Sequence, residues 1–109
     1  MYKAININLY QEAFYTQEVT LEGQTVVLEF SLNERQGTYS FSVYDGQENP
    51  VVTGMRLLPS VSLADGLLGA INLTGYFFLF PLTDKPINFQ SISPEFLRNY
   101  YGFAYIHEV

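Results

Sequence analysis

The feature that most constrains the fold is a long alternation of apolar and polar side chains from Val19 to Val43. A period of two sends successive side chains to opposite faces of a strand, whereas a helix requires a period near 3.6. Two turn signals interrupt the alternation, at Glu22-Gly23-Gln24 and at Asn33 to Gly37. Glycine takes the positive φ of a tight hairpin without steric cost. The segment therefore predicts a three-stranded meander, beginning with a hairpin over Thr16 to Leu32.

One face of the second strand in this meander is predicted to be core. That face carries only apolar side chains, while Glu29 lies on the opposite face. A half-buried strand has this pattern because one side packs inward and the other meets solvent. The predicted core residues are Val26, Leu28, Phe30 and Leu32, and on the next strand Tyr39, Phe41 and Val43 alternate with Thr38, Ser40 and Ser42.

Further strands are predicted downstream. Asp45-Gly46 and Asn49-Pro50 are turn signals, after which Val51, Val52 and the stretch Met55 to Leu58 supply a short strand. Glycines then interrupt any regular pattern from Ser60 to Gly75, which predicts a loop with some local strand. The following strand, Tyr76 to Phe80, is apolar on both faces, as in a strand covered on both sides. Another subunit is one candidate for its second cover.

The C-terminal residues predict one short helix and one strand. Ser93-Pro94-Glu95 is a helix start, since serine caps free N–H groups and proline suits the first helical position. We expect a helix from Pro94 to Tyr101, ended by Gly102, and a last strand over Phe103 to Glu108. The predicted fold is mostly β, a small antiparallel β-barrel or sandwich with one short C-terminal helix. Residues 1–109 form a single domain in this prediction.

Aromatic side chains are unusually frequent, at 17% of 109 residues, with 9 Tyr and 9 Phe. Each ring can bury on the order of 150–250 Å², which is a large area for a chain of this size. We therefore expect some rings to be buried against a partner.

The charge and the missing cysteines exclude several classes of function. A net charge of -6 repels phosphate backbones and anionic lipids, so neither nucleic acid nor a membrane surface is an expected partner. The absence of cysteine removes disulfides, thiolate nucleophiles and zinc-finger ligands. Residues 1–10 alternate polar and apolar side chains and do not resemble a signal peptide, so standard export is not expected. The longest apolar run, residues 76–82, is too short to span a bilayer.

The residue types that could perform chemistry do not form a recognisable site. The single histidine, His107, lies near the C-terminus and is expected to be a surface or rim residue. Asp45 to Asn49 has oxygen ligands and a glycine but lacks the spacing of a calcium loop, so a turn is expected. Gly66-Leu67-Leu68-Gly69 lacks the lysine and hydroxyl of a phosphate loop. The clustered acids are expected to be solvated: Glu12, Glu18, Glu22 and Glu29. We therefore predict no catalytic residue, no metal and no cofactor.

Two aromatic segments, Tyr76 to Phe80 and Tyr100 to Tyr105, remain as candidates for protein contact. Exposed segments of this kind aggregate, so each must be packed in the core or covered by a partner, and both possibilities are open. The candidate interface residues are Tyr76, Phe78, Phe80, Tyr100, Tyr101 and Tyr105.

An ordered set of short motifs runs from Leu21 to Leu68. It reads Leu21-x-Gly23-Gln24, Leu28-x-Phe30, Asn33-x-Arg35-x-Gly37, Tyr39-x-Phe41-x-Val43-Tyr44-Asp45, Pro50-Val51, Gly54-x-Arg56-Leu57 and Leu67-Leu68. This order resembles the small baseplate plug proteins of contractile-tailed bacteriophages. The chain departs from their pattern with Glu22 in the first turn, where they have aspartate, and with Tyr39, where they often have tryptophan.

The resemblance implies a non-enzymatic virion protein, made in the host cytoplasm and placed at the tail tip between tail-tube and central hub proteins. It implies contacts with other baseplate proteins, and we expect a homo-oligomer with three-fold symmetry favoured over six-fold. The alternative hypothesis is a carbohydrate-binding β module of a phage tail or host-binding protein, since exposed tyrosines on a β scaffold stack on sugar faces.

Overall fold

A computed structural model describes residues 1–10, 12–33, 35, 37–58, 61–82 and 99–108. Nearly all regular structure in these residues is β, apart from a short 3-10 helix at Gly69–Ile71 and the helical residues Asn99 and Tyr100. The strands, numbered in chain order, are β1 (Tyr2–Ile7), β2 (Phe14–Leu21), β3 (Gln24–Asn33), β4 (Thr38–Asp45), β5 (Pro50–Arg56), β6 (Ser62–Leu63), β7 (Tyr76–Pro81) and β8 (Tyr101–Glu108).

The strands form two four-stranded antiparallel sheets. Sheet 1 has the order β1-β8-β7-β6, and sheet 2 has the order β2-β3-β4-β5. Buried side chains of both sheets belong to one hydrophobic cluster, so the sheets pack face to face. The fold is a sandwich, one of the two predicted architectures, and not a closed barrel.

The meander of sheet 2 confirms the prediction from the alternating segment. Leu21 pairs with Gln24, which leaves a two-residue turn at Glu22 and Gly23. Both turn residues have positive φ, 48° and 79°, as a type I′ hairpin requires. β3 then pairs with β4, and β4 pairs with the predicted strand after Pro50, which ends at Arg56.

Aromatic rings from both sheets fill the space between them. Phe103 of β8 lies with its ring centroid 5.8 Å from that of Phe30 and 5.4 Å from that of Phe41. Phe41 also meets Phe77 of β7 edge-to-face at 5.3 Å. Such offset and edge contacts favour aromatic pairs beyond the area that they bury. The predicted core face of β3 is confirmed at Val26, Leu28 and Phe30, whereas Leu32 is only partly buried.

No complete helix from Pro94 to Tyr101 is seen in the described residues, although Asn99 and Tyr100 are helical. Residues 94–98 of its range lie outside the described part of the chain, while Tyr101 at its end is the first residue of β8. Tyr101 pairs with Pro81 and is 5% exposed, so tertiary burial places it in a strand and overrides the local helix signal. The last strand is therefore two residues longer than predicted.

The N-terminal strand was missed by the sequence predictions, whereas the loop before β7 agrees with them. β1 was not predicted as a strand, although its alternation is visible in the sequence, and it pairs with β8 over six residues. The predicted loop between 60 and 75 does contain local strand, namely β6. No helix among the described residues is long and apolar enough to cross a membrane.

The inward and outward faces of β3 should respond differently to substitution. Phe30→Ala removes a ring that is 0% exposed, and we expect it to lower the free energy of unfolding by about 3–5 kcal/mol. Glu29→Lys on the outer face should change it by about 0.5 kcal/mol or less. Urea denaturation followed by circular dichroism measures both values. Equal losses in the two variants would show that the faces of β3 are assigned incorrectly.

Candidate interaction surface

The alternation of β7 divides its aromatic side chains between two faces. Phe77 and Leu79 are fully buried in the core, whereas Tyr76, Phe78 and Phe80 point outward and are partly exposed. The strand is apolar on both faces, as the sequence indicated, but the chain covers only the inner face completely.

The neighbours of these three rings are also apolar or small. Across the sheet, Tyr76 pairs with Ile106, Phe78 pairs with Ala104 and Phe80 pairs with Gly102 of β8. Ala104 pairs in turn with Asn6 of β1, and Ile106 pairs with Ala4. The outer face of sheet 1 also carries Asn6, Ser62 and Glu108. Its apolar side chains form what we call the apolar face: Tyr2, Ala4, Tyr76, Phe78, Phe80, Ala104 and Ile106.

Gly102 sets the position of one ring on the apolar face. A Cβ atom at Gly102 would lie only 2.4 Å from Cζ of Phe80, closer than atoms can approach. The Phe80 ring therefore lies directly over the backbone of β8, where a larger residue at position 102 would displace it.

The structure separates the six predicted interface residues into two groups. Tyr76, Phe78 and Phe80 lie together on the apolar face, and Tyr100, just before β8, is 45% exposed. Tyr101 and Tyr105 point into the core, where they are 5% and 0% exposed. Sequence alone could not make this division, because it depends on the register of β8.

The outer face of sheet 2 has a different character. Glu18 and Glu29 lie there, as do Ser40, Ser42 and Tyr44 of β4. The outer surface of sheet 1 is therefore mainly apolar, whereas that of sheet 2 mixes acidic and polar side chains with Phe14, Val27 and Arg56.

A polar cluster that the sequence did not reveal joins the two sheets at Glu22. Its carboxylate Oε1 accepts a hydrogen bond from Oγ1 of Thr74 at 2.7 Å, and Oε2 accepts one from the Thr74 N–H at 2.9 Å. The hydroxyl of Tyr105 also donates to Oε2, while the Gly75 N–H donates to that hydroxyl at 2.8 Å. The hairpin turn of sheet 2 is thus tied to β8 and to the residues that precede β7.

The cluster changes the ionisation of its members. Partial burial acts to raise the pKa of Glu22, but the hydrogen bonds from Tyr105 and Thr74 and the proximity of His107 outweigh it, so the pKa lies below its ordinary value. Burial, together with the bond to the Glu22 carboxylate, raises the pKa of the Tyr105 hydroxyl. Nδ1 of His107 lies 3.7 Å from Oε1 of Glu22.

His107 is 8% exposed, so the expectation of a surface or rim residue was wrong. The alternation of β8 explains its burial, because the same side of the strand carries Tyr101, Phe103 and Tyr105. The ring of His107 stacks near that of Tyr105, with centroids 5.7 Å apart.

The turn at Asp45 uses its own carboxylate. Oδ1 accepts hydrogen bonds from the N–H groups of Asn49 at 2.8 Å and Gln47 at 2.9 Å, and Oδ2 accepts one from the Asn49 side chain. These bonds, led by that from the Asn49 backbone, lower the pKa of Asp45. This confirms the turn. Within the described ranges, no three His, Cys, Asp or Glu side chains come together as a metal site.

Comparison with known protein families gives one match. The family model for "Cyanophage baseplate Pam3 plug gp18" matches residues 2–103 of the 109-residue chain. The chain belongs to this baseplate plug family. No curated protein matches the chain.

Membership of the baseplate plug family confirms the resemblance that the motifs indicated. The matched residues include seven complete strands and the beginning of β8, so they extend beyond the motifs between Leu21 and Leu68. The chain is therefore a structural protein of a phage baseplate, a component of the virion that contacts other baseplate components.

The Glu22 cluster predicts a defined loss of stability in acid. Because the folded pKa of Glu22 lies below its unfolded value near 4.5, its contribution is present above that pH and is lost as the pH falls through the folded pKa. We expect Glu22→Gln to be less stable than the parent chain by about 1 kcal/mol or more at pH 7. That difference should shrink below about pH 4.5.

Urea denaturation at a series of pH values measures this difference. Glu29→Gln, which leaves the cluster intact, is the control and should follow the parent chain. A difference between Glu22→Gln and the parent that is constant from pH 7 to pH 3 would contradict the proposed role of the carboxylate charge.

Proposed function

We propose that this chain is a non-enzymatic plug that lies at the tail tip, between tail-tube and central hub proteins, and helps to close the tube until contraction. The observation that carries the proposal is the family match over residues 2–103. In this proposal residues 1–109 act as one domain, without a cofactor. The plug assembles as a homo-oligomer, with three-fold symmetry favoured over six-fold.

The apolar face is the proposed contact with neighbouring baseplate proteins. Its three rings, Tyr76, Phe78 and Phe80, are held by the strand pairing of β7 and are only partly covered within the chain. Aromatic residues are enriched in the buried centres of protein interfaces, where charged residues are depleted. Tyr100, which directly precedes β8, is 45% exposed and extends the proposed contact.

The charge of the chain supports a position on the tail axis. With a net charge of -6, the surface repels the phosphate backbone of DNA that passes along the lumen. A plug with this charge closes the tube through protein contacts and does not retain the genome.

The carbohydrate-binding alternative would use exposed tyrosines. Tyr2, Tyr10 and Tyr100 are 68%, 43% and 45% exposed. The family match supports the structural role over this alternative, and a glycan array tests it directly. Binding of a defined glycan that is lost in Tyr2→Ala or Tyr100→Ala would favour the alternative.

Substitution on the apolar face should separate folding from assembly. Phe78→Glu places a charge on the partly exposed outer side of β7, so we expect a folded chain whose affinity for its baseplate partners falls by about 2 kcal/mol or more. Circular dichroism of the purified chain and its incorporation into phage tails measure the two properties.

Two other variants serve as comparisons for Phe78→Glu. Tyr44→Glu alters a partly buried aromatic on the outer face of sheet 2 and should assemble normally. Tyr101→Glu places a charge in the core and should lower stability strongly. Normal incorporation of folded Phe78→Glu would remove the apolar face from the proposed interface.

A further inference from the structure

A β-sandwich has four edge strands, here β1 and β6 of sheet 1 and β2 and β5 of sheet 2. Edge strands are prone to pair with other chains, and proteins prevent this with short strands, prolines, bulges and lysines. β6 has only two residues. β5 begins at Pro50, has a positive φ at Gly54 and shifts its register against β4. β1 carries Lys3 on its inner side, opposite His107.

The remaining edge strand, β2, has none of these protections. Its eight residues pair with β3 in unbroken register, from Phe14 opposite Ser31 to Leu21 opposite Gln24. It contains no proline, no glycine and no lysine. In the part of the chain that the structure describes, β2 pairs with no strand other than β3.

The hairpin geometry identifies the backbone groups at the open edge. Because Leu21 and Gln24 close a two-residue turn, Leu21 and every second residue before it bond to β3. The bond from the Leu32 N–H to the Ala13 carbonyl, 2.7 Å long, follows the same alternation. The intervening residues direct their N–H and C=O groups away from the sheet: Phe14, Thr16, Glu18 and Thr20.

The side chains beside this edge favour a basic partner. Glu18 lies on the outer face of β2, and Glu29 lies opposite Thr16 on the same face of β3. A strand added next to β2 would place its own outward side chains beside Glu18, while Glu29 lies one strand further away and adds to the negative potential of this face. Opposite charges across adjacent strands are favourable, and like charges are unfavourable. Phe14, 59% exposed at the start of β2, offers apolar area for the same partner to cover.

We propose that the open edge of β2 binds an extended segment of another protein by strand addition, and that this segment carries Lys or Arg at alternating positions on its outer face, beside Glu18 and within the negative potential of Glu29. Main-chain hydrogen bonds to β2 hold the segment, and its basic side chains set its register. This site is separate from the apolar face and does not depend on the proposed position of the plug.

A synthetic peptide of alternating lysine and valine tests the site by NMR titration of the isotope-labelled chain. We expect chemical-shift changes and slower amide exchange at the four residues of the open edge. An equally long peptide of alternating glutamate and valine should bind at least about tenfold more weakly. Absence of binding by the lysine peptide, equal binding of both peptides, or changes centred on β1 or β5 would overturn the proposal.

Three variants test the mechanism. Thr16→Pro removes an N–H that points away from β3, so the sheet should remain folded while the proline ring blocks the added strand. We expect it to abolish binding, whereas Thr16→Ser should bind normally. The double variant Glu18→Lys, Glu29→Lys should reverse the preference between the peptides, and it tests the proposal even if Thr16→Pro unfolds. Unchanged binding in a folded Thr16→Pro chain, or an unchanged preference in the double variant, would contradict strand addition at this edge.

Discussion

The contact between aromatic rings of the two sheets is the interaction on which the rest of this structure depends. Phe41 of sheet 2 meets both Phe77 and Phe103 of sheet 1, and those two rings stack with centroids 5.6 Å apart. Each of these strands can send only every second side chain inward. Once Phe77 and Leu79 occupy the core, Tyr76, Phe78 and Phe80 must lie outside. The core packing and the apolar face are therefore two consequences of one strand register.

The alternation of β3 was readable from the sequence because one of its faces is polar. The core face of β3 and its hairpin were predicted correctly, because Glu29 marks the solvent face of the strand and Gly23 marks the turn. The sequence of β7 gave no such guide, since both of its faces are apolar. Tyr101 was assigned to a helix because serine and proline upstream are local helix signals, whereas its position in β8 depends on pairing with a strand some twenty residues earlier.

The Glu22 cluster could not be predicted for a related reason. Glu22 is far in sequence from Thr74 and Tyr105, and nothing local distinguishes it from the solvated acids nearby. Only the packing of one sheet on the other brings the hairpin turn to these partners. The plug-protein motif has aspartate at this position, and the change to glutamate is visible in the sequence but does not indicate its partners. The longer glutamate side chain extends from a turn residue with positive φ to the opposite sheet.

The two proposed contact surfaces belong to different sheets and differ in chemistry. The apolar face uses side chains of sheet 1, whereas strand addition at β2 uses main-chain groups and acids of sheet 2. A strand added to β2 would extend sheet 2 sideways and leave the outer face of sheet 1 uncovered. Both contacts can therefore exist at once, and neither requires the aromatic core to rearrange. In these two proposals, one small domain joins two neighbours through independent surfaces.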